Sequence, residues 1–553
     1  MTSSKRAAPR ISLDVQIDSL LWPDGRQLIA QTDAAWERDL GLAEVIAPLT
    51  DGARHAAFIR KILMALSTDP AVIGWRQSVL QDFLRNPALV DQVQTLLPRF
   101  ADLRQGHALL GKRTRGILLE TADRLSQLDL YLSVLHDLHR ALQAADVTSA
   151  ALRGLQTTLR NAIDNPGFLS LQAELPALQA SLSNLASLTI GINLNADLQP
   201  VAAVLLSIND RPFGESASLL ERLIGIRADL NAETGIAPLH YVPADAEQRP
   251  LSPLFQDMDR LSIQIAQPVA RTLARYLGQS SGPLAALEDE LAFYLAGVRL
   301  SQRLNTRQVA TCFAECAPIS ERLMVIDGLI NVSLAVRSSS ANSAAAALVA
   351  SDVQFDAYGR IGLLTGPNSG GKTTYLQAVG LAQVLFQAGW CIPARAARIS
   401  PIDTILTHFP ALETRQQGRL AEEAERLREI FVRATDQSLV LLNESLSSTT
   451  AGEALYLAQE VISGLRAIGV RGLFATHLIE LVGRIEQIES AARGDSAIMS
   501  LVAGVHLTDD NRLLPTFRIT RGTPLESGYA QEIARRYGIS LAQILAARAD
   551  KAN

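Results

Sequence analysis

Residues 359–374 read GRIGLLTGPNSGGKTT. Gly359 to Thr365 is a short apolar run of the kind that forms a buried strand, and an amphipathic, helix-like stretch begins at Tyr375. Between them, Gly366-Pro-Asn-Ser-Gly-Gly371-Lys372-Thr373 satisfies G-x-x-x-x-G-K-[ST] in the strand, loop and helix context that gives that spacing its meaning. The glycines let successive backbone N–H groups point inward at phosphate oxygens, and the helix N-terminus adds positive potential. The predicted ligand is therefore a nucleotide, held by Gly366, Pro367, Asn368, Ser369, Gly370, Gly371, Lys372, Thr373 and Thr374. Lys372 would neutralise the outer phosphates, and the Thr373 hydroxyl would ligate Mg²⁺.

Two further strand ends extend the site. Ser438 to Leu442 is a continuous apolar run ending in Asn443-Glu444 and then Ser445-Leu-Ser-Ser-Thr-Thr450. A carboxylate at such a strand end can activate water, which makes Glu444 the candidate general base; the plainer alternative is a strand-end carboxylate facing solvent. Asn443 stands where a metal-holding Asp is usual in phosphate-loop ATPases, and an amide can hold Mg²⁺ through water but brings no negative charge. The strand Arg471 to Ala475 ends at Thr476-His477, where His477 could sense the γ-phosphate or position the attacking water.

Working outward, the texture after Pro318 is that of an α/β domain with a largely parallel sheet, so a boundary is expected near Ile319. The expected division is 1–318, mainly helical, and 319–553, the nucleotide domain, with Ser338 to Ala347 as a surface loop. In the first part, Leu125, Leu128, Leu132, Leu135 and Leu142 form a coiled-coil-like seam, with His139 as a packed or half-exposed member. Ile11 to Ile17 alternates as a short strand would, and Trp22-Pro23-Asp24-Gly25 reads as a turn. Alternation at Leu188, Ile190, Ile192 and Leu194, followed by the apolar run Val201 to Ile208, predicts a β-hairpin around 186–210. Helical periodicity returns at Leu219 to Leu230 and from Leu261 to Leu304.

Composition bounds the rest. The 553 residues carry 51 Lys plus Arg against 56 Asp plus Glu, a formal net charge of -5, which excludes a globally basic nucleic-acid coat. Only five of those 51 cations are lysines (Lys5, Lys61, Lys112, Lys372, Lys551), and one occupies the phosphate-loop position. Cys312 and Cys316, four apart, would share a helix face as buried thiols; with Cys391 they match neither a disulfide framework nor a zinc site. MTSSKRAAPR lacks the apolar core of a signal peptide and no run suits a membrane span, so a cytoplasmic protein with no membrane partner is expected.

Together, LLTGPNSGGKTTYLQ, the Asn443-Glu444 strand end with its Ser/Thr run, FATHLIEL from Phe474 to Leu481, and Gly528-Tyr-Ala-Gln-Glu-Ile-Ala-Arg535 resemble the MutS family of DNA mismatch-repair ATPases, whose nucleotide domain is of the ABC class. Leu66 to Leu84 resembles, more weakly, the start of that family's core and lever helices. The resemblance implies a long-helix core with an inserted hairpin in a clamp position, an ABC-class ATPase domain, ATP and Mg²⁺ as cofactors, a homodimer with composite sites, and DNA as partner. It also implies a dimerisation element from about Gly528.

Four departures qualify it. The chain starts directly in the core region, and Phe313-Ala314-Glu315, which matches the mismatch wedge string, lies in an expected helical context, so mismatch reading by that device is not expected. Gly418-Arg419 matches the family's trans-acting signature, but Leu420-Ala421 replaces the expected Ser-Thr pair; a lost hydroxyl donor to phosphate is worth on the order of 1.5 to 3 kcal/mol. Asn443 replaces Asp, and both changes point to slow hydrolysis or to a site that binds ATP as a switch. From Asn161 to Asp210 there is no Lys or Arg, while Asp164, Glu174, Asp197 and Asp210 give a formal charge of -4. Such a hairpin should hold duplex DNA poorly. Lys112-Arg113-Thr114-Arg115 is the local alternative for phosphate contact, or simply a solvated helix end. The expected function is an ATPase acting on duplex or branched DNA; the rival is a nucleotide-gated dimeric switch that binds a protein.

Overall fold

In the computed structural model, the apolar runs around the phosphate loop form a six-stranded sheet in the order β12-β11-β6-β10-β9-β8. Its strands are β6 (Ile361–Thr365), β8 (Ile405–His408), β9 (Leu439–Asn443), β10 (Arg471–Ala475), β11 (Ile498–Leu507) and β12 (Leu513–Arg521). All neighbours pair in parallel except β12, which is antiparallel to β11. The inner strands β6, β10 and β9 are buried along their whole length, as a sheet covered on both faces requires. A second sheet runs β3-β7-β4-β5, from β3 (Glu315–Cys316), β4 (Met324–Leu329), β5 (Ser351–Phe355) and β7 (Ala396–Ile399). The structure describes residues 15–25, 35–109, 117–183, 187–196, 200–209, 211, 266–273, 282–337, 348–367, 369–409, 419–446, 449–491, 493–495, 497–507, 513–524 and 538–549.

Packing divides the chain into two compact units, and the division does not follow the linear boundary expected near Ile319. One unit joins Asp18–Val90, Asp146–Arg153 and Asp289–Asn553; the other comprises Met1–Ile17, Asp91–Ala145 and Gly154–Glu288. The physical reason lies in the helix Lys372–Ala388, which is buried along nearly its whole length and needs cover on more than its sheet side. A Cβ on its Gly380 would stand 2.6 Å from Leu40 Cδ1 of the helix Ala35–Leu40, so the two helices meet where only glycine fits. The helix Pro70–Arg85 starts on Asp69, whose carboxylate accepts the Ala71 N–H, with Pro70 at the first position. Its buried Arg76 lies 4.2 Å over the Trp22 ring and donates to the Leu21 carbonyl, fixing the expected Trp22 to Gly25 turn, in which Gly25 N–H bonds to the Trp22 carbonyl. Arg471, at the start of β10, donates to the Leu323, Ser400 and Pro401 carbonyls and so joins the two sheets.

In the other unit, Leu125, Leu128, Leu132, Leu135 and Leu142 of the helix Ile117–Ala144 are all buried. His139 is half-buried beside them, and burial and then Arg160 hold its pKa below the ordinary value. The hairpin is present as β1 (Ser187–Leu194) paired antiparallel with β2 (Pro200–Asn209), with register shifts after Thr189 and Asn193. No described helix is long and apolar enough to cross a membrane.

Several expectations are corrected. Cys312 and Cys316 do not share a helix face: the helix Gly282–Thr306 ends before them, with Gln308 in the left-handed region at φ 57, and the chain continues extended. Cys312 pairs with Ile392 and Cys316 lies in β3, so the two stand on extended chain rising about 3.3 Å per residue rather than one helical turn apart. They are half-buried, whereas Cys391 is buried; burial pushes Cys312 up to about 11 and Cys391 to about 12. Phe313-Ala314-Glu315 is likewise extended rather than helical, and Glu315 pairs with Arg398. Residues 15–17 are not in a strand, and residues 11–14 of that expected strand lie outside the described residues. So do the periodic stretch 219–230, the loop 338–347, Lys112 to Arg115, and Gly528 to Arg535.

Candidate functional site

The strand order builds the site. Within the sheet, β10 lies between β6 and β9, and Ala475 is in register with both Leu364 and Asn443. The chain therefore leaves all three strands at one edge, into the phosphate loop after Thr365, into Glu444 after Asn443 and into Thr476-His477 after Ala475. This is the carboxyl edge of a parallel sheet, where open α/β folds bind ligands.

The loop needs its glycines. Gly366 has φ 133, and a Cβ there would lie 2.7 Å from Ala503 Cβ; Gly371 has φ 88 and starts the helix Lys372–Ala388. A Cβ on Gly370 would come within 3.0 Å of both Ala503 Cβ and the Pro367 carbonyl. The small Ala503 of β11 thus lets the loop lie close against the sheet. The helix start is tied down from the second sheet: Asn331 donates to the Thr374 carbonyl at 2.8 Å. Asn368 lies outside the described residues.

Lys372 is 1% exposed, and its Nζ donates to the Gly366 and Pro367 carbonyls at 2.9 and 3.1 Å. Burial lowers its pKa, with the Glu444 carboxylate, 3.7 Å away, pulling the other way. Thr373 Oγ1 donates to Asn443 Oδ1 at 3.1 Å, so two oxygen donors from β9 and the loop helix converge. Glu444 Oε1 is 3.0 Å from His477 Nε2, and the Glu444 N–H donates to the Ala475 carbonyl at 2.8 Å. Lys372, Thr373, Asn443, Glu444 and His477, separated by more than 100 residues in sequence, form one cluster.

The turn after β9 is strained. Glu444 has φ 50 and Leu446 φ 67, the left-handed region, which costs a non-glycine residue roughly 1–2 kcal/mol. Strain of this order persists where surrounding contacts impose it, and it clusters at functional sites.

Beside the loop opens a cavity of about 440 Å³, lined among others by Leu329, Asn331, Ser369, Lys372, Tyr375 and Phe517. Phe517, on β12 with φ 58, is 47% exposed. Sequence reading passes over it because it is distant from the loop motif in the chain; its one signal is an aromatic between polar residues in an edge strand.

The signature segment is described from Arg419, the first residue of the helix Arg419–Arg433, while Gly418 lies outside the described residues. Leu420 packs against the apolar cluster under the sheet, with Leu442 and Phe474 among its members. Where a hydroxyl is expected stands a partly buried apolar side chain that packs against the core.

Comparison with known proteins agrees with this geometry. The description "MutS2 N-terminal domain" matches residues 68–307, and "MutS domain V" matches residues 362–551. The chain is 26% identical over 484 residues to the DNA mismatch repair protein MutS of Prochlorococcus marinus, covering 80% of this chain and 48% of that protein. It is 33% identical over 186 residues to Endonuclease MutS2 of Thermus thermophilus, 33% of this chain and 24% of that one. With the DNA mismatch repair protein MutS of Brevibacillus brevis it shares 38% identity over 144 residues, 25% of this chain and 17% of the relative. The matched stretch thus spans less than half the length of each of these relatives. With two domain descriptions of one family matched in order along it, the chain belongs to the MutS family.

Proposed function

We propose that the chain is a DNA-acting ATPase of ABC class that hydrolyses ATP slowly, works as a homodimer, and serves repair or recombination without the Phe-x-Glu wedge. The observation that carries this reading is the convergence of Lys372, Thr373, Asn443, Glu444 and His477 at the carboxyl edge of the sheet. The loop amides and Lys372 would hold the phosphates, whose negative charge favours the ammonium form that burial disfavours. The cavity beside the loop would take the nucleoside, with Phe517 offering an aromatic face.

The donor set fits Mg²⁺: Thr373 Oγ1 directly and Asn443 Oδ1 through water are hard oxygen donors, though both are neutral. Bound there, the ion would neutralise phosphate charge. Glu444 takes the proton of the attacking water, and His477, at 3.0 Å, orients that carboxylate and can donate to the γ-phosphate. Gly418 and Arg419 would face the partner's nucleotide, and the terminal helix Leu541–Ala549, with Leu541 and Leu545 exposed, belongs to the dimerisation element. The division into a helical core and lever, 1–318, and an ATPase domain, 319–553, remains the functional reading of the chain, in the cytoplasm.

Glu444→Gln tests the chemistry: ATP binding should persist while turnover falls by a factor of about 100 or more. Turnover at the original rate would remove Glu444 from its role.

A second reading, a nucleotide-gated switch that binds a protein rather than DNA, is favoured by the hairpin, where Ile192, Leu194 and Leu206 are exposed and no cation is present from Asn161 to Asp210. Titration of linear, branched and mismatched duplexes against salt separates the two. DNA binding must weaken as salt rises, and no binding at low salt with ATP present would leave only the second.

A further inference from the structure

The strained turn that carries Glu444 is held from beneath by two buried polar residues on two other elements. Glu423, 7% exposed, lies one turn into the helix Arg419–Arg433, and its Oε2 accepts the Leu446 N–H at 3.0 Å. His408, 3% exposed at the end of β8, places Nδ1 2.7 Å from Ser445 Oγ. Ser445 and Leu446 are themselves buried, so these bonds are made out of water, where an unmet donor is costly. They fall on the two residues that follow Glu444 and include the left-handed Leu446. Neither residue touches Lys372, Thr373 or His477 through any described hydrogen bond, so neither belongs to the phosphate cluster itself.

We propose that Glu423 and His408 are positioning residues that hold the Ser445-Leu446 turn in its left-handed path and thereby aim the Glu444 carboxylate at the reacting water. The proposal rests on Glu444 being the base assigned above. Misplacing a catalytic group by about 1 Å can cost up to roughly a hundredfold in rate, which gives these two bonds ample leverage.

The test compares Glu423→Met, which keeps length and helix preference but has no acceptor, with Glu423→Gln, whose amide oxygen can still accept the Leu446 N–H. Three quantities are read on the full chain: single-turnover ATP hydrolysis, the dissociation constant for ATP, and hydrogen exchange in the peptide 439–450. Glu423→Met should slow turnover by about tenfold to a hundredfold, leave ATP affinity within about twofold and speed exchange at Leu446. Glu423→Gln should recover turnover to within about threefold. Wild-type turnover in Glu423→Met, equal slowing in both variants, or affinity weakened by the same factor as the rate would each overturn the proposal. His408→Leu, which removes the bond to Ser445, carries the same test should Glu423→Met fail to fold: slower turnover at unchanged affinity supports the network, and unchanged turnover overturns it. Glu444→Gln run alongside separates the two levels. If it is inactive while Glu423→Met is normal, only the positioning role falls. If it turns over normally, the base assignment falls and the positioning role with it.

Discussion

At the carboxyl edge of the six-stranded sheet, side chains from three chain segments stand within hydrogen-bonding or ion-pair reach, and one of the five lysines of the chain lies buried among them. Along the β1–β2 hairpin the pattern is reversed: Ile192, Leu194 and Leu206 are 47%, 53% and 64% exposed, and the whole stretch from Asn161 to Asp210 lacks a cation. The first region gathers charge around a buried ammonium, with Glu444 part-exposed and His477 exposed beside it, so the cation is held where a phosphate can reach it. The second exposes apolar side chains and has in its sequence no cation with which to release counterions from a polyanion. The two regions thus differ in chemistry: a cation and its partners gather at the phosphate loop, while the hairpin lacks the charge that would hold a polyanion.

That contrast can be broken most directly at Lys372. Lys372→Ala should weaken ATP binding by about a hundredfold or more, since the ammonium is the one buried cation at the loop; titration with a fluorescent ATP analogue checks it. Binding within a few-fold of the original would mean that the loop amides alone carry the phosphates. A smaller effect is expected from Asn443→Asp, which restores a negative charge 3.1 Å from Thr373 Oγ1. The Mg²⁺ concentration needed for half-maximal turnover should fall by about tenfold, because a carboxylate is the stronger Mg²⁺ ligand. If it did not change, the missing charge would not limit Mg²⁺ binding at this site. The smallest effect is sought at the hairpin. Replacing exposed Asn193 and Ser207 with lysine should raise DNA affinity a few-fold at low salt and steepen the salt dependence by up to about 0.9 in log–log slope per phosphate neutralised. An unchanged slope would show that the hairpin is not where DNA is held.

How legible these regions were depends on how local their signals are. The phosphate loop is written in one run of residues, and its glycines are required by φ values and close approaches that the spacing already implies. The hairpin is legible for the same reason, an alternation of period two in β1 followed by a short apolar run in β2. The Cys312 and Cys316 spacing misled because four residues suit either a helix face or an extended run, and the deciding feature was the left-handed Gln308 that ends the preceding helix. The expected boundary at Ile319 followed a change in texture, whereas the helix Lys372–Ala388 recruits Leu40 and the helix Pro70–Arg85 as cover. Leu420 read as a lost hydroxyl; that it packs, partly buried, against the core is visible only in the fold.

The sequence by itself determined the nucleotide loop, the candidate base and the absence of cations in the hairpin, because each is a property of contiguous residues. Only the tertiary structure decided that Asn443, Glu444 and His477 stand beside Lys372, since that follows from the register of β10 between β6 and β9. It alone decided that Phe517 borders the site and that Glu423 and His408 brace the Glu444 turn. Sheet order and helix packing bring together residues that share no local pattern, and hydrogen bonds of a few ångströms then form between groups that the chain holds far apart.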